Sequence, residues 1–121
     1  MYVLILADDL IWSTRLGAQV RAANAEVTSV RTLAAFEAGL ATADAAIVDL
    51  TARAYDGITA IALAAAAGKR VLAVGQHDDV ELRKRALAAG ADRVHPYRKL
   101  FDDGPATLAK WLNPVVEAST R

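Results

Sequence analysis

The sequence contains no cysteine in its 121 residues. Disulfides, cysteine nucleophiles and zinc sites built from thiolates are therefore excluded. Long hydrophobic runs are also missing, because ITAIALAAAAG is too short and too rich in alanine to cross a membrane. The N-terminal MYVLILADD lacks a basic segment and is soon interrupted by two acids, which indicates a strand rather than a signal peptide. We expect a cytoplasmic protein with no membrane attachment.

Neither sign of charge is in excess, since 14 Lys and Arg residues balance 14 Asp and Glu residues. This balance argues against direct nucleic-acid binding, which needs a basic surface. The composition is 55% hydrophobic and 23% charged, as in chains that fold around a core. The length allows one hydrophobic core, so we predict a single domain over residues 1–121.

Five strand-like runs alternate with helical stretches along the chain. The runs are YVLIL (2–6), EVTSV (26–30), AAIVD (45–49), RVLAV (70–74) and DRVHP (92–96). The first, third and fourth are almost entirely apolar, as is typical of parallel strands covered on both faces. EVTSV alternates more, which favours an edge position. This order predicts an α/β domain with a three-layer (βα)5 doubly wound parallel sheet.

Apolar residues at helical spacing predict the connecting helices. The predicted ranges are 12–24, 33–41, 57–67, 79–89 and 105–118. The last helix is expected to begin at Pro105 and to end or kink at Pro114. Trp111 is in register with Leu108 and Val115, so we expect it in the core.

Three aspartates follow strands that should be central neighbours in this sheet. Asp8 and Asp9 come after the first strand, and Asp49 ends the third. Functional groups gather beyond the carboxyl ends of parallel strands, and converging carboxylates repel unless a hard cation such as Mg²⁺ joins them. Each aspartate alone is also typical of a turn or a helix cap. The combination predicts a magnesium site.

Three segments carry a family resemblance that spans nearly the whole chain. VLILADD resembles the first strand and acidic pair of the receiver domain of two-component response regulators, the CheY-like family. DAAIVDLTARAYDG is similar to its third strand and the following DG pair, and ALAAGADRV to the stretch before its fifth strand. The resemblance implies a flavodoxin-like fold with strand order 2-1-3-4-5.

The resemblance also implies a chemistry for the acidic site. Asp49 would be the phosphoacceptor, and Asp8, Asp9, Asp49 and the main-chain carbonyl of Thr51 would hold Mg²⁺. A carboxylate oxygen can attack a phosphoryl group in line, while the cation neutralises charge on the transferring oxygens.

The sequence departs from the family at the positions that sense the phosphoryl group. Gly75 stands where the family has a Ser or Thr, and Tyr97 stands where it has a Lys. Lys99 can take the role of that Lys only if the fifth strand ends in a two-residue bulge. Arg53 replaces a usual Pro, and Val94 occupies the aromatic switch position.

These departures leave two mechanisms open within two-component signalling. In the first, the chain is a stand-alone receiver phosphorylated on Asp49 by a histidine kinase or phosphotransfer protein. In the second, which we favour, it is a pseudo-receiver that binds another signalling protein without a phosphorylation switch. Both imply a non-enzymatic module, with partner contacts or a homodimer through the face of the fourth helix, fifth strand and fifth helix.

A different class, a small-molecule-binding flavodoxin-like module, is a weaker alternative. LADDLIWS contains no glycine and places two acids where a phosphate would lie. A hydrolase is weaker again, because neither His77 nor His95 accompanies a serine elbow or a second histidine at metal-binding spacing. Trp12 follows the acidic pair, so we expect it to lie partly exposed over the site.

Overall fold

The computed structural model describes residues 1–76 and 78–113. Its strands are β1 (Tyr2–Leu6), β2 (Glu26–Val30), β3 (Ala45–Asp49), β4 (Arg70–Gly75) and β5 (Arg93–Pro96). Its helices are α1 (Leu10–Ala22), α2 (Leu33–Gly39), α3 (Gly57–Ala66), α4 (Val80–Ala89) and α5 (Tyr97–Leu112), and a 3₁₀ turn follows α2 at Leu40–Thr42. Strand and helix alternate as the sequence predicts, with bounds that shift by one or two residues except in α5.

The five strands form one parallel sheet in the order β2-β1-β3-β4-β5, which confirms the predicted fold and strand order. β2 is an edge strand, as its alternating sequence predicts. β1 lies beside β3, with Ile5 opposite Ile47 and Leu6 opposite Val48. The carboxyl ends of these two strands therefore meet at one edge of the sheet.

Alternation along the strands divides the buried side chains between the two faces of the sheet. On one face Leu6 packs in a cluster with Phe36 of α2 and Ile61 of α3. On the other face Ile5 packs in a cluster with Trp111 of α5. Trp111 is only 1% exposed, so its predicted place in the core is confirmed. The result is three layers, with the sheet between two layers of helix.

The fifth helix differs from its predicted range of 105–118. It begins at Tyr97 and is kinked at Asp103, whose backbone is non-helical (φ −152°, ψ 40°). A proline ring clashes with the carbonyl four residues earlier, so a straight helix would press Pro105 against Phe101. The kink therefore precedes Pro105, and the predicted start marks the second half of the helix. Pro114 and Val115 lie outside the described residues.

Among residues 1–76 and 78–113, no helix is both long and apolar enough to cross a membrane.

Candidate functional site: an acidic pocket under an aromatic lid

Asp49 is the last residue of β3 and is almost completely buried, at 1% exposure. One of its carboxylate oxygens, Oδ1, accepts hydrogen bonds from the backbone N–H of Thr51 at 2.8 Å and from the Thr51 hydroxyl at 2.7 Å. The Tyr55 hydroxyl lies within hydrogen-bonding distance of two carbonyl oxygens, that of Asp49 at 2.8 Å and that of Leu6 at 2.9 Å. These contacts fix the carboxylate at the junction of β1 and β3.

The two aspartates that follow β1 have separate partners. Oδ2 of Asp8 accepts hydrogen bonds from the backbone N–H groups of Arg53 and Ala54, both at 3.2 Å, and so ties the end of β1 to the loop after β3. Oδ1 of Asp9 accepts from the backbone N–H of Trp12 at 3.0 Å and caps α1. Asp9 thus fills the capping role that is typical of a lone aspartate at a helix start.

The predicted magnesium ligands do not form a ligand set in this arrangement. Across the described residues, no group of three or more His, Cys, Asp or Glu side chains is placed to hold one metal ion. Asp8 and Asp9 accept from backbone donors, while Oδ1 of Asp49 accepts from Thr51. Binding of Mg²⁺ through these residues and the Thr51 carbonyl stays a prediction.

Tyr97 covers the pocket at the position where the resemblance expects a lysine. Its hydroxyl oxygen lies 3.4 Å from the Thr51 hydroxyl oxygen. Either of the two hydroxyl groups can be the donor in this contact. Burial, followed by hydrogen bonding to Asp49, raises the pKa of the Tyr97 hydroxyl. Tyr97 therefore stays protonated, as a neutral donor above the carboxylate.

Two further aromatic rings complete a cover that we call the aromatic lid, consisting of Trp12, Tyr97 and Phe101. The rings of Trp12 and Tyr97 lie 3.7 Å apart between centroids, tilted by 33°. Phe101 lies 5.2 Å from Trp12, and the Arg15 guanidinium lies 5.1 Å from the Phe101 ring. Trp12 is half-buried, which confirms its predicted partial exposure. The sequence predicted Trp12 near the site but missed the lid, because its members come from opposite ends of the chain.

Lys99 lies apart from this lid. β5 pairs with β4 without interruption from Arg93 to Pro96, so the strand contains no bulge, and Lys99 falls in the first turn of α5. There it lines a surface groove together with Arg93 and Lys110. The structure therefore brings Tyr97, and not Lys99, to the hydroxyl of Thr51.

The other positions that depart from the family lie around the same edge. Gly75 ends β4, and a Cβ atom added there would lie 3.6 Å from Leu50, which is ordinary van der Waals contact. Val94 is half-buried in β5. The neighbouring His95 has a lowered pKa because of burial and then the nearby charge of Lys99. His77 lies outside the described residues.

Of the comparisons with known proteins, only the comparison with solved structures finds similar proteins. No protein-family model and no curated protein matches the sequence. Among solved structures, the signal receiver domain of a putative LuxO repressor protein from Vibrio parahaemolyticus has a TM-score of 0.80 at 15% identity, covering 98% of this chain and 95% of that chain. The receiver domain of a DNA-binding response regulator (merR) from Colwellia psychrerythraea 34H has a TM-score of 0.78 at 21% identity, covering 97% and 98%.

A third similar structure is the signal receiver domain of a modulated diguanylate cyclase from Desulfovibrio desulfuricans G20. It has a TM-score of 0.78 at 20% identity and covers 98% of this chain and 95% of that chain. At such identities the likeness establishes the fold alone. This chain therefore has the CheY-like fold of response-regulator receiver domains.

Proposed function

We propose that the chain is a receiver-like module of two-component signalling that acts through protein contacts, without a phosphorylation switch at Asp49. The observation that carries the proposal is the state of Asp49, which is 1% exposed and accepts two hydrogen bonds from Thr51. The aromatic lid adjoins this carboxylate through Tyr97.

The burial of Asp49 opposes the chemistry of a phosphoacceptor. In-line attack requires a carboxylate oxygen to approach a phosphorus atom closely and in alignment. Here Oδ1 is held by Thr51, and the carboxylate has almost no surface for a phosphoryl donor to reach. Phosphorylation would require the aromatic lid to move away from the carboxylate.

The groups that would recognise a phosphoryl group are also replaced. Gly75 has no side chain, so the hydroxyl that would couple phosphorylation to the loop after β4 is missing from that position. Tyr97 offers a neutral hydroxyl where an ammonium group is expected. The exchange removes a charge-assisted hydrogen bond of about 1.5–3 kcal/mol. The same two changes weaken both the formation of a phosphorylated state and its transmission.

Exposed apolar side chains support the use of protein contacts. Val80 and Leu87 of α4 are 55% and 45% exposed and, seven residues apart, lie on one face of this helix. Exposed apolar groups that lie together are typical of interaction surfaces. We propose that the face of α4, β5 and α5 contacts a signalling partner or a second copy of the chain. Such a partner would be a histidine kinase, a phosphotransfer protein or another protein of the pathway, and the chain itself would catalyse no reaction.

A conventional receiver phosphorylated on Asp49 with Mg²⁺ is the second candidate. The observation that favours it is the placement of Asp49 at the end of β3, directly beside the end of β1 that leads to Asp8 and Asp9. This is the arrangement that the resemblance implies for a phosphoacceptor.

One experiment separates the two candidates. The protein is incubated with acetyl phosphate and Mg²⁺, and its intact mass is compared with that of an Asp49→Asn variant treated in the same way. We expect no gain of a phosphoryl group in either protein. Beryllofluoride mimics a phosphoryl group without being hydrolysed, and we expect its addition to leave the tryptophan fluorescence spectrum of the parent unchanged. A gain of one phosphoryl group in the parent alone would establish the conventional receiver.

A further inference from the structure

A groove between β5 and α5 concentrates positive charge. Its volume is about 160 Å³, and its lining includes three cationic side chains, Arg93, Lys99 and Lys110, with a single carboxylate, Asp103. Three cations against one carboxylate leave a formal excess of two positive charges. A single water needs only about 10–15 Å³ of such space, so the groove has room for a polyatomic group.

Local ion pairs do not neutralise these cations. Over residues 1–76 and 78–113, the salt bridges within 4.0 Å join Lys84 to Glu81 and Arg98 to Asp102, and neither involves a residue of the groove. The excess positive charge also acts on His95, another residue that lines the groove. Burial first, and then Lys99 and Arg93, lower the pKa of His95.

Trp111 is the aromatic residue of this groove. Trp111 is one of its lining residues and is 1% exposed, yet its indole Nε1–H has no hydrogen-bond partner in the described part of the chain. A buried indole N–H usually finds an acceptor, and one without a partner needs an explanation. The indole N–H is itself buried, so the donors that the groove offers are those of Arg93, Lys99 and Lys110, and the indole ring serves as a reporter of the groove.

We propose that this groove binds a phosphate-bearing small molecule, with Arg93, Lys99 and Lys110 as its cationic contacts. A phosphate group carries a charge of about −1.5 to −2 near pH 7 and three strong acceptor oxygens, which matches both the excess charge and the donors. Arg93 supplies the planar guanidinium that pairs with phosphate through two parallel hydrogen bonds. The site is separate from Asp49 and does not depend on whether Asp49 is phosphorylated.

The test follows the two indole N–H resonances of the ¹⁵N-labelled protein during titration with inorganic pyrophosphate at near-physiological salt. A Trp12→Phe variant assigns the resonance of Trp111. We expect a saturable shift of the Trp111 signal, whereas a titration that moves neither indole signal, or that never saturates, would overturn the proposal.

Charge-removal variants show whether the effect belongs to the groove. Lys99→Gln and Lys110→Gln are each expected to weaken pyrophosphate binding about tenfold, because each removes one charge-assisted contact. Lys84→Gln and Arg85→Gln remove the same charges from exposed positions of α4 outside the groove and should leave binding unchanged. Equal weakening in both sets would show a general charge effect and would overturn the site.

A second ligand tests the chemical class. Succinate carries two carboxylates and should bind at least about tenfold more weakly than pyrophosphate, because it lacks the charge density of a phosphate group. Equal affinity for the two anions would overturn the assignment to phosphate compounds.

Discussion

Thr51 donates two hydrogen bonds to a single oxygen of Asp49, one from its backbone at 2.8 Å and one from its hydroxyl at 2.7 Å. The acceptor belongs to a carboxylate with 1% exposure, so water cannot replace a lost donor easily. Thr51 therefore does more than fill a loop position, since it satisfies a buried charge at the centre of the candidate site.

The first prediction concerns the hydroxyl of Thr51. Thr51→Val keeps the shape of the side chain and removes the hydroxyl, which should lower the free energy of unfolding by about 1–2 kcal/mol in urea denaturation. Thr59→Val is a matched control, because the Thr59 hydroxyl donates to Asp56 at 2.9 Å in an exposed setting. The control should change stability by no more than about 0.5 kcal/mol. Equal losses in the two variants would contradict the role given to the Thr51 hydroxyl.

The second prediction concerns the aromatic lid. Tyr97→Ala removes the ring that lies 3.7 Å from Trp12, so acrylamide should quench tryptophan fluorescence more strongly in this variant. Trp111 is buried at 1% exposure, and the change therefore reports Trp12. The loss of the pair should also cost about 0.5–1.5 kcal/mol beyond the lost burial. Tyr97→Phe keeps the ring and should be quenched like the parent, whereas unchanged quenching in Tyr97→Ala would show that Tyr97 does not cover Trp12.

The third prediction concerns the pH dependence contributed by His95. Its folded-state pKa is lowered by burial and by the charges of Lys99, Arg93 and Arg83, so the unfolded chain takes up a proton at a higher pH than the folded chain does. Stability should therefore fall as the pH drops from above 6.5, the ordinary pKa, toward the lower folded-state value. The Asp103 carboxylate, which lines the same groove, opposes this shift without reversing it.

His95→Gln removes the titrating group and provides the check. Urea unfolding of the parent and the variant is compared at about pH 7.5 and about pH 5.5, a range above the titration of ordinary carboxylates. The parent should lose more stability than the variant on acidification. An equal or larger loss in His95→Gln would contradict the lowered pKa.

The fourth prediction concerns the contact between α3 and α4. Gly90 ends α4 with φ of 120°, and an added Cβ atom would lie 2.5 Å from the Cβ atom of Ala65. Gly68 also has a positive φ, of 76°, but an added Cβ atom there meets nothing within 4 Å. Both alanine variants carry backbone strain, and Gly90→Ala adds overpacking of about 1–3 kcal/mol. Thermal unfolding should place Gly90→Ala clearly below Gly68→Ala, and the reverse order would contradict the close packing of the two helices.

Most of the fold could be predicted from the sequence, because its strand segments are easily distinguished from its helical segments. Apolar runs such as AAIVD have no helical periodicity, and turn or capping residues separate them from the helices. The meeting of Asp49 with the end of β1 followed from strand order. The range of α5 could not be predicted in the same way, because the kink at Asp103 depends on a steric conflict between Pro105 and the preceding turn.

The contacts within the acidic pocket could not be predicted from the sequence, for a different reason. The contact between Tyr97 and Thr51 joins residues 46 positions apart, and no local pattern encodes it. The acidic residues alone favoured a cation site, whereas the structure shows Asp9 capping α1 and Asp8 bound to the loop after β3. Competition from backbone donors is a property of the folded chain, and it decides what these carboxylates contact.

The most direct measurement restores the two missing side chains. A Gly75→Thr/Tyr97→Lys variant is compared with the parent by intact mass after incubation with acetyl phosphate and Mg²⁺, and a third protein carries Asp49→Asn in addition. A Cβ atom added at Gly75 would lie 3.6 Å from Leu50, which is ordinary van der Waals contact, so the backbone there leaves room for the first atom of a side chain. The account predicts one phosphoryl group on the restored variant and none on the parent or on the protein that lacks Asp49. Phosphorylation of the parent to the same extent as the restored variant would contradict it.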